Sequence, residues 1–182
     1  MVNVPNIITA FRAFMIPAFI IAIFYRNFEL ATWIFLLAAV SDAVDGFLAR
    51  RLNQVTTIGV ILDPIVDKLL INSAFVMLSY IDKIIPVWLT ILVLSRDVLI
   101  IVGGWLLTVF GKVKRIKPSI LGKLTAFFQF FTVFITLISL NYRVPAEFLK
   151  DLYLTTAAFT VASAVGYTVK GIRELSNEEI PE

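Results

Sequence analysis

Six apolar stretches follow one another along this chain, over residues 7–25, 30–52, 57–81, 84–110, 119–140 and 146–172, with only short polar segments between them. A helix of about 20 predominantly apolar residues is what it takes to cross a bilayer. Hydrophobic residues make up 59% of the chain and the mean hydropathy is +0.92, well above the roughly 45–50% apolar content of soluble domains. The expectation is an all-α, polytopic membrane protein: six transmembrane helices in a single membrane domain over residues 1–182, with no soluble domain.

The chain has neither cysteine nor histidine. Disulfides, zinc-thiolate sites, haem and iron–sulfur ligation and every histidine-dependent triad are thereby excluded. A general base has to be Asp, Glu, Lys or Tyr. No basic segment precedes the first apolar stretch and no small-residue cleavage site follows it, so a cleaved signal peptide is not expected.

The net charge of +3 says less than its distribution. Six crossings put both termini on one side. The segments on that side carry Arg50, Arg51, Lys112, Lys114, Arg115, Lys117, Lys170 and Arg173, and the opposite loops carry Arg26, Lys83, Arg143 and Lys150. The positive-inside rule then places the termini in the cytoplasm of a cell carrying the protein in its plasma (inner) membrane.

Four aspartates interrupt the most apolar part of the chain: Asp42 and Asp45 near the end of the second stretch, Asp63 and Asp67 near the start of the third. A carboxylate in such a setting is costly unless something compensates it. Spacings of three and four put each pair on one helix face. A short loop joins the two stretches, so the pairs can converge at one membrane depth. Four clustered carboxylates repel and drive their pKa values up, and a divalent cation removes the conflict. All-oxygen ligands select Mg²⁺, Mn²⁺ or Ca²⁺, and two such ions neutralise four carboxylates. Paired metals are a template for displacement at phosphorus. The expected site is a polar, metal-containing cavity at the cytoplasmic end.

The order Asp42-x2-Asp45-Gly46-x2-Ala49-Arg50-x8-Gly59-x3-Asp63-x3-Asp67 resembles the motif of the CDP-alcohol phosphotransferase family at every defined position. The resemblance implies that Asp42, Asp45 and Asp63 bind a first Mg²⁺ or Mn²⁺ ion. It implies that Asp67 helps bind a second, with Asp42 and Asp63 shared, and serves as the base that deprotonates an acceptor hydroxyl. Asp42, Asp45, Gly46, Ala49, Arg50 and Gly59 would line the CDP site. The implied reaction is attack of the hydroxyl on the lipid-linked phosphorus of CDP-diacylglycerol, with CMP leaving. The implied assembly is a homodimer.

Similarity also extends to Asn6-Ile-Ile-Thr9-Ala-Phe-Arg12, Ser95-Arg96-Asp97 and the segment from Lys117 through Gly122, Lys123 and Gln129. These resemble the family members whose acceptor is glycerol 3-phosphate. A dianionic acceptor needs cations, and Arg96, Arg115, Lys117 and Lys123 are the candidates. Asn6, Thr9 and Arg12 are possible substrate-binding residues, and their spacing suggests a polar face turned toward neighbouring helices. The competing reading of the basic segment is a positive-inside loop on anionic headgroups. An inositol phosphate acceptor suits the same cations. A divalent-cation transporter would spread its acids along a pathway; here they sit at one end of one hairpin. No nucleic-acid partner is expected.

Other features read more simply. The adjacent charges of Arg96 and Asp97 are not expected to face lipid. Phe127, Phe128, Phe130 and Phe131 are packing or lipid-facing residues, and Trp33, Trp88 and Trp105 are interface anchors or packing. Gly122-Lys123 is no P-loop, because Leu124 follows and no strand precedes. Gly103-Gly104 and Ala162-Ser163-Ala164-x-Gly166 are small-residue surfaces for close packing or a dimer.

Overall fold

The computed structural model describes the backbone of residues 4–52, 57–81, 83–109 and 119–176, and side chains within those ranges except 4–10, 42–52, 57–65, 67, 107–109 and 174–176. Its elements are α1 (Val4–Phe24), α2 (Phe28–Leu52), α3 (Thr57–Tyr80), α4 (Val87–Val109), α5 (Ile120–Asn141) and α6 (Ala146–Ser176). Each helix falls on one of the expected apolar stretches. The all-α expectation holds among the described residues, none of which lies in a strand.

Local chemistry explains the ends. Arg26 takes a left-handed conformation, with φ at 57°. The Arg26 N–H donates to the Ile23 carbonyl, and the Asn27 N–H to the Ala22 carbonyl, both at 2.9 Å. This pair of bonds is the Schellman closure that satisfies the last carbonyls of a helix. Asn27 then serves as N-cap of α2, its Oδ1 accepting the Leu30 N–H at 3.1 Å. The start of α4 at Val87, later than the expected 84, has a similar cause. Lys83 is left-handed (φ 50°), and the Pro86 carbonyl accepts the first intrahelical bonds, from Leu89 and Thr90. Ser119 caps α5, with the Gly122 N–H on its Oγ at 3.0 Å.

The helices form two compact units. The first comprises Met1–Ile85 and Val133–Pro145, where α1 packs against both α2 and α3. Its described interior is largely apolar: Phe19, Ala22 and Ile23 on α1, Ala31, Phe35 and Ala38 on α2, and Leu70, Ala74, Phe75 and Leu78 on α3. The helical spacing of these positions sets one stripe of each helix inward. Phe19 and Phe35 meet at 5.9 Å between ring centroids.

The second unit comprises Pro86–Thr132 and Ala146–Glu182, with α4 packed on α6. Its interior is different in kind. Thr90, Arg96, Asp97, Thr125, Gln129, Thr132, Thr156, Thr160 and Ser163 are all buried. The hydroxyls of Thr132 and Thr156 share a hydrogen bond of 2.7 Å, and Thr125 Oγ1 donates to the Phe159 carbonyl at 2.9 Å. Phe128 and Phe159 stack at 4.5 Å. Meanwhile Ile101, Val102, Trp105, Ile120, Phe127, Leu154 and Val165 are exposed. Hydroxyl-lined interfaces beneath an apolar exterior are the arrangement of helices that associate in lipid, where apolar contact alone gives no advantage over the solvent.

Three helices in the second half of the chain, over Val87–Leu106, Ile120–Asn141 and Ala146–Arg173, are long and apolar enough to cross a membrane. The described apolar parts of α1, α2 and α3 are shorter: Phe11–Phe24, Phe28–Ser41 and Lys68–Tyr80.

Candidate active site

The aspartates fall where the helix ends of the first unit place them. Asp42 and Asp45 lie in about the last three turns of α2, and Asp63 and Asp67 in about the first three turns of α3. The linker between these two helix ends is residues 53–56. Helical backbone through both pairs sets each pair on one helix face. The side chains of Asp42, Asp45, Gly46, Ala49, Arg50, Gly59, Asp63 and Asp67 lie outside the described residues, as do those of Asn6 and Thr9. Arg115 and Lys117 lie outside them altogether.

Arg12 is buried, at 1% exposure, on the α1 stripe that continues through Phe19 and Ile23. It therefore turns into the first unit rather than toward the membrane surface. Removing a guanidinium from water is costly enough that its burial marks a polar interior on this part of α1.

Arg96 and Asp97 are also inward, at 6% and 4% exposure. Arg96 Nη1 donates to Asp97 Oδ1 at 2.8 Å and Nη2 to Ser163 Oγ at 2.8 Å. The guanidinium carbon stands 5.8 Å from the centre of the Tyr167 ring, a cation–π distance. Arg96 Nε is buried and has no hydrogen-bond partner among the described residues; the same is true of Gln129 Nε2. Lys123, on the first turn of α5, is exposed.

Ser163 and Tyr167 were not singled out by sequence reasoning as neighbours of a cation. A signal was present: Thr156, Thr160, Ser163 and Tyr167 recur at spacings of four, three and four, which sets them along one face of α6. Gly122, read as part of the family-like segment and as no P-loop glycine, has a packing reason. A Cβ there would lie 2.8 Å from the Tyr167 hydroxyl oxygen and 3.3 Å from Ser119 Oγ. Gly103 and Gly104 have nothing within 4 Å of where a Cβ would stand, so they do not serve close packing inside the described chain.

A family model described as CDP-alcohol phosphatidyltransferase matches residues 2–168. The chain belongs to this family. The match takes in the aspartate motif and runs through α6 to Thr168, so the family likeness reaches well beyond Gln129. A CDP-diacylglycerol–glycerol-3-phosphate 3-phosphatidyltransferase of Wigglesworthia glossinidia brevipalpis is 33% identical over 162 residues, covering 85% of this chain and 87% of the relative. The protein of the same name from Bacillus subtilis (strain 168) is 33% identical over 187 residues, covering 93% and 95%. A human cardiolipin synthase (CMP-forming) is 33% identical over 183 residues, covering 91% of this chain and 60% of the relative. The family makes this chain a phosphatidyltransferase, and its apolar helices make it a membrane protein.

Proposed function

We propose that the protein transfers a phosphatidyl group from CDP-diacylglycerol to glycerol 3-phosphate, releasing CMP and forming phosphatidylglycerophosphate. The observation that carries this reading is the bacterial relatives of that name, similar along almost their whole length. The complete aspartate motif supports it.

The chemistry of the donor set fits divalent metal. Asp42, Asp45, Asp63 and Asp67 offer only carboxylate oxygens, from adjoining ends of two consecutive helices, and such donors suit Mg²⁺ or Mn²⁺. Asp42, Asp45 and Asp63 would hold one ion, with Asp67 helping to hold a second. Bound there, the ions would supply positive charge to the pyrophosphate and the departing CMP. Asp67 takes the proton from the acceptor hydroxyl, a role open to a carboxylate in a chain without histidine. Gly46, Ala49 and Gly59 leave room for the nucleotide, and Arg50 pairs with its phosphates. Arg96, Arg115, Lys117 and Lys123 serve the acceptor phosphate; Asn6, Thr9 and Arg12 contribute polar contacts to substrate.

All six helices cross the bilayer in this reading. The aromatic residues support it for the first unit. Tyr25, Trp33 and Tyr142 are all exposed. The α1–α2 turn sets Tyr25 beside the start of α2, and Asn141 Nδ2 reaches Thr32 Oγ1 at 3.5 Å, bringing the end of α5 to the same place. Aromatic side chains gathered at one end of a bundle mark a membrane–water interface. The opposite end, with the aspartates, the termini and most basic residues, faces the cytoplasm at the plasma (inner) membrane. The Gly103–Gly104 face of α4, open where a Cβ would stand, suits a second copy of the chain, as a homodimer.

The test is CMP release by purified protein. Turnover is expected with CDP-diacylglycerol, Mg²⁺ or Mn²⁺ and glycerol 3-phosphate, and is expected to disappear on chelation and return with either ion. Inositol phosphate and serine should give none. Release with a different acceptor only would move the assignment to another member of the family, among whose relatives is a cardiolipin synthase (CMP-forming).

A further inference from the structure

Tyr167 touches all three helices of the second unit. Its backbone belongs to α6, its ring lies beneath the Arg96 guanidinium of α4, and its hydroxyl sits against Gly122 at the start of α5. Any side chain at Gly122 would press on that hydroxyl, at 2.8 Å from a Cβ. Gly122 also takes the Ser119 capping bond, so the hydroxyl is seated in the capped first turn that carries Lys123.

The contacts of Arg96 are divided by function. Asp97 holds Nη1 and neutralises the charge. On the other edge, Nη2 has only the neutral Ser163 hydroxyl, and Nε has no partner among the described residues. The edge formed by Nε and Nη2 is one by which a guanidinium grips two oxygens of a phosphate or carboxylate. Ser163, accepting from Nη2, still has its own O–H to give to such an oxygen. With two nitrogens anchored and the face lying on a ring, the fork cannot rotate. A buried N–H left over in such a group calls for an acceptor beyond those the described residues supply, which a bound phosphate would be.

We propose that Tyr167, with Gly122 and Ser163, positions Arg96 to receive the phosphate of the acceptor. Tyr167 sets the face of the guanidinium, and Gly122 sets how deeply Tyr167 can seat. This makes α6 a determinant of acceptor affinity rather than an apolar filler. The inference rests on the glycerol 3-phosphate reading given above.

The experiment uses the full-length protein in detergent or nanodiscs, varying glycerol 3-phosphate at saturating CDP-diacylglycerol. Tyr167→Leu is expected to raise the KM for glycerol 3-phosphate by about tenfold, with kcat and the KM for CDP-diacylglycerol held within about twofold. Tyr167→Phe keeps the ring beneath the guanidinium and should recover most of the wild-type KM. Gly122→Ala, which displaces the hydroxyl without touching the ring's chemistry, should show the same signature in milder form. A fall in kcat shared evenly between substrates, or lower thermal stability with an unchanged acceptor KM, overturns positioning in favour of packing.

A second readout needs no turnover. Glycerol 3-phosphate alone should raise the unfolding temperature of the wild type, and Arg96→Gln should abolish the rise. An undiminished rise in Arg96→Gln overturns the proposal even if Tyr167→Leu does not fold. Wild-type turnover with glycerol 3-phosphate alongside variants of unaltered acceptor KM sinks this inference alone; no wild-type turnover with it sinks the parent reading as well.

Discussion

A guanidinium in the middle of an apolar helix has to be neutralised where it stands, and Arg96 takes the nearest carboxylate available, that of the next residue. That much was readable from the sequence, because adjacent opposite charges in a crossing helix do not face lipid. Its remaining partners were not. Ser163 is 67 residues away, and nothing in a string of letters ties a serine on one apolar helix to an arginine on another. Arg12 shows the same division: its inward turn follows from its place on the polar face of α1, while its burial to 1% had to be observed. The aspartates were the most legible residues of all, since four carboxylates in apolar sequence admit few explanations. Among them Asp67 carries the sharpest expectation. Asp67→Asn keeps size and loses the base. Turnover, followed as CMP release, should fall by about a thousandfold, while binding of CDP-diacylglycerol stays near wild type. Retained activity would remove Asp67 from the role of base.

Among elements, hydropathy placed every helix within a few residues, because polar turn residues interrupt the apolar runs where the helices end. The late start of α4 arose where a left-handed Lys83, together with Pro86, decides the matter. Hydropathy does not register backbone handedness. Arg26 is the parallel case at the α1–α2 turn, where a glycine or asparagine would have announced the closure. The turn therefore makes a testable pair. Arg26→Asn and Arg26→Val lose the same side chain but differ in their tolerance of positive φ. The unfolding temperature of Arg26→Val in detergent should lie below that of Arg26→Asn by the equivalent of about 1 kcal/mol, since a β-branched residue resists positive φ. Asn27→Ala should lower the wild-type value by a similar amount through loss of the α2 cap, about 1 kcal/mol. Equal stability of all three variants would mean that helix packing, not the local closure, holds the turn.

For the whole molecule, composition alone was enough to read an all-helical membrane protein, and the aspartate motif to read an enzyme, which the family match bears out. What composition concealed is that the two units have unlike interiors, one mostly apolar and one lined with hydroxyls and an ion pair. An average over the chain cannot show where its polar residues gather. The orientation is open to direct measurement, because the chain has no native cysteine to interfere. Single cysteines placed at Gln54 and Asn177 should react with an impermeant maleimide only from the cytoplasmic side of oriented vesicles, and one at Tyr142 only from the other. Labelling of Gln54→Cys and Tyr142→Cys from the same side would refute the six-crossing topology. The closure between α1 and α2 has a last consequence, for biosynthesis. Its backbone and capping bonds join residues between Ile21 and Ala31. The backbone of the bend can therefore close while the ribosome is still short of Asp63.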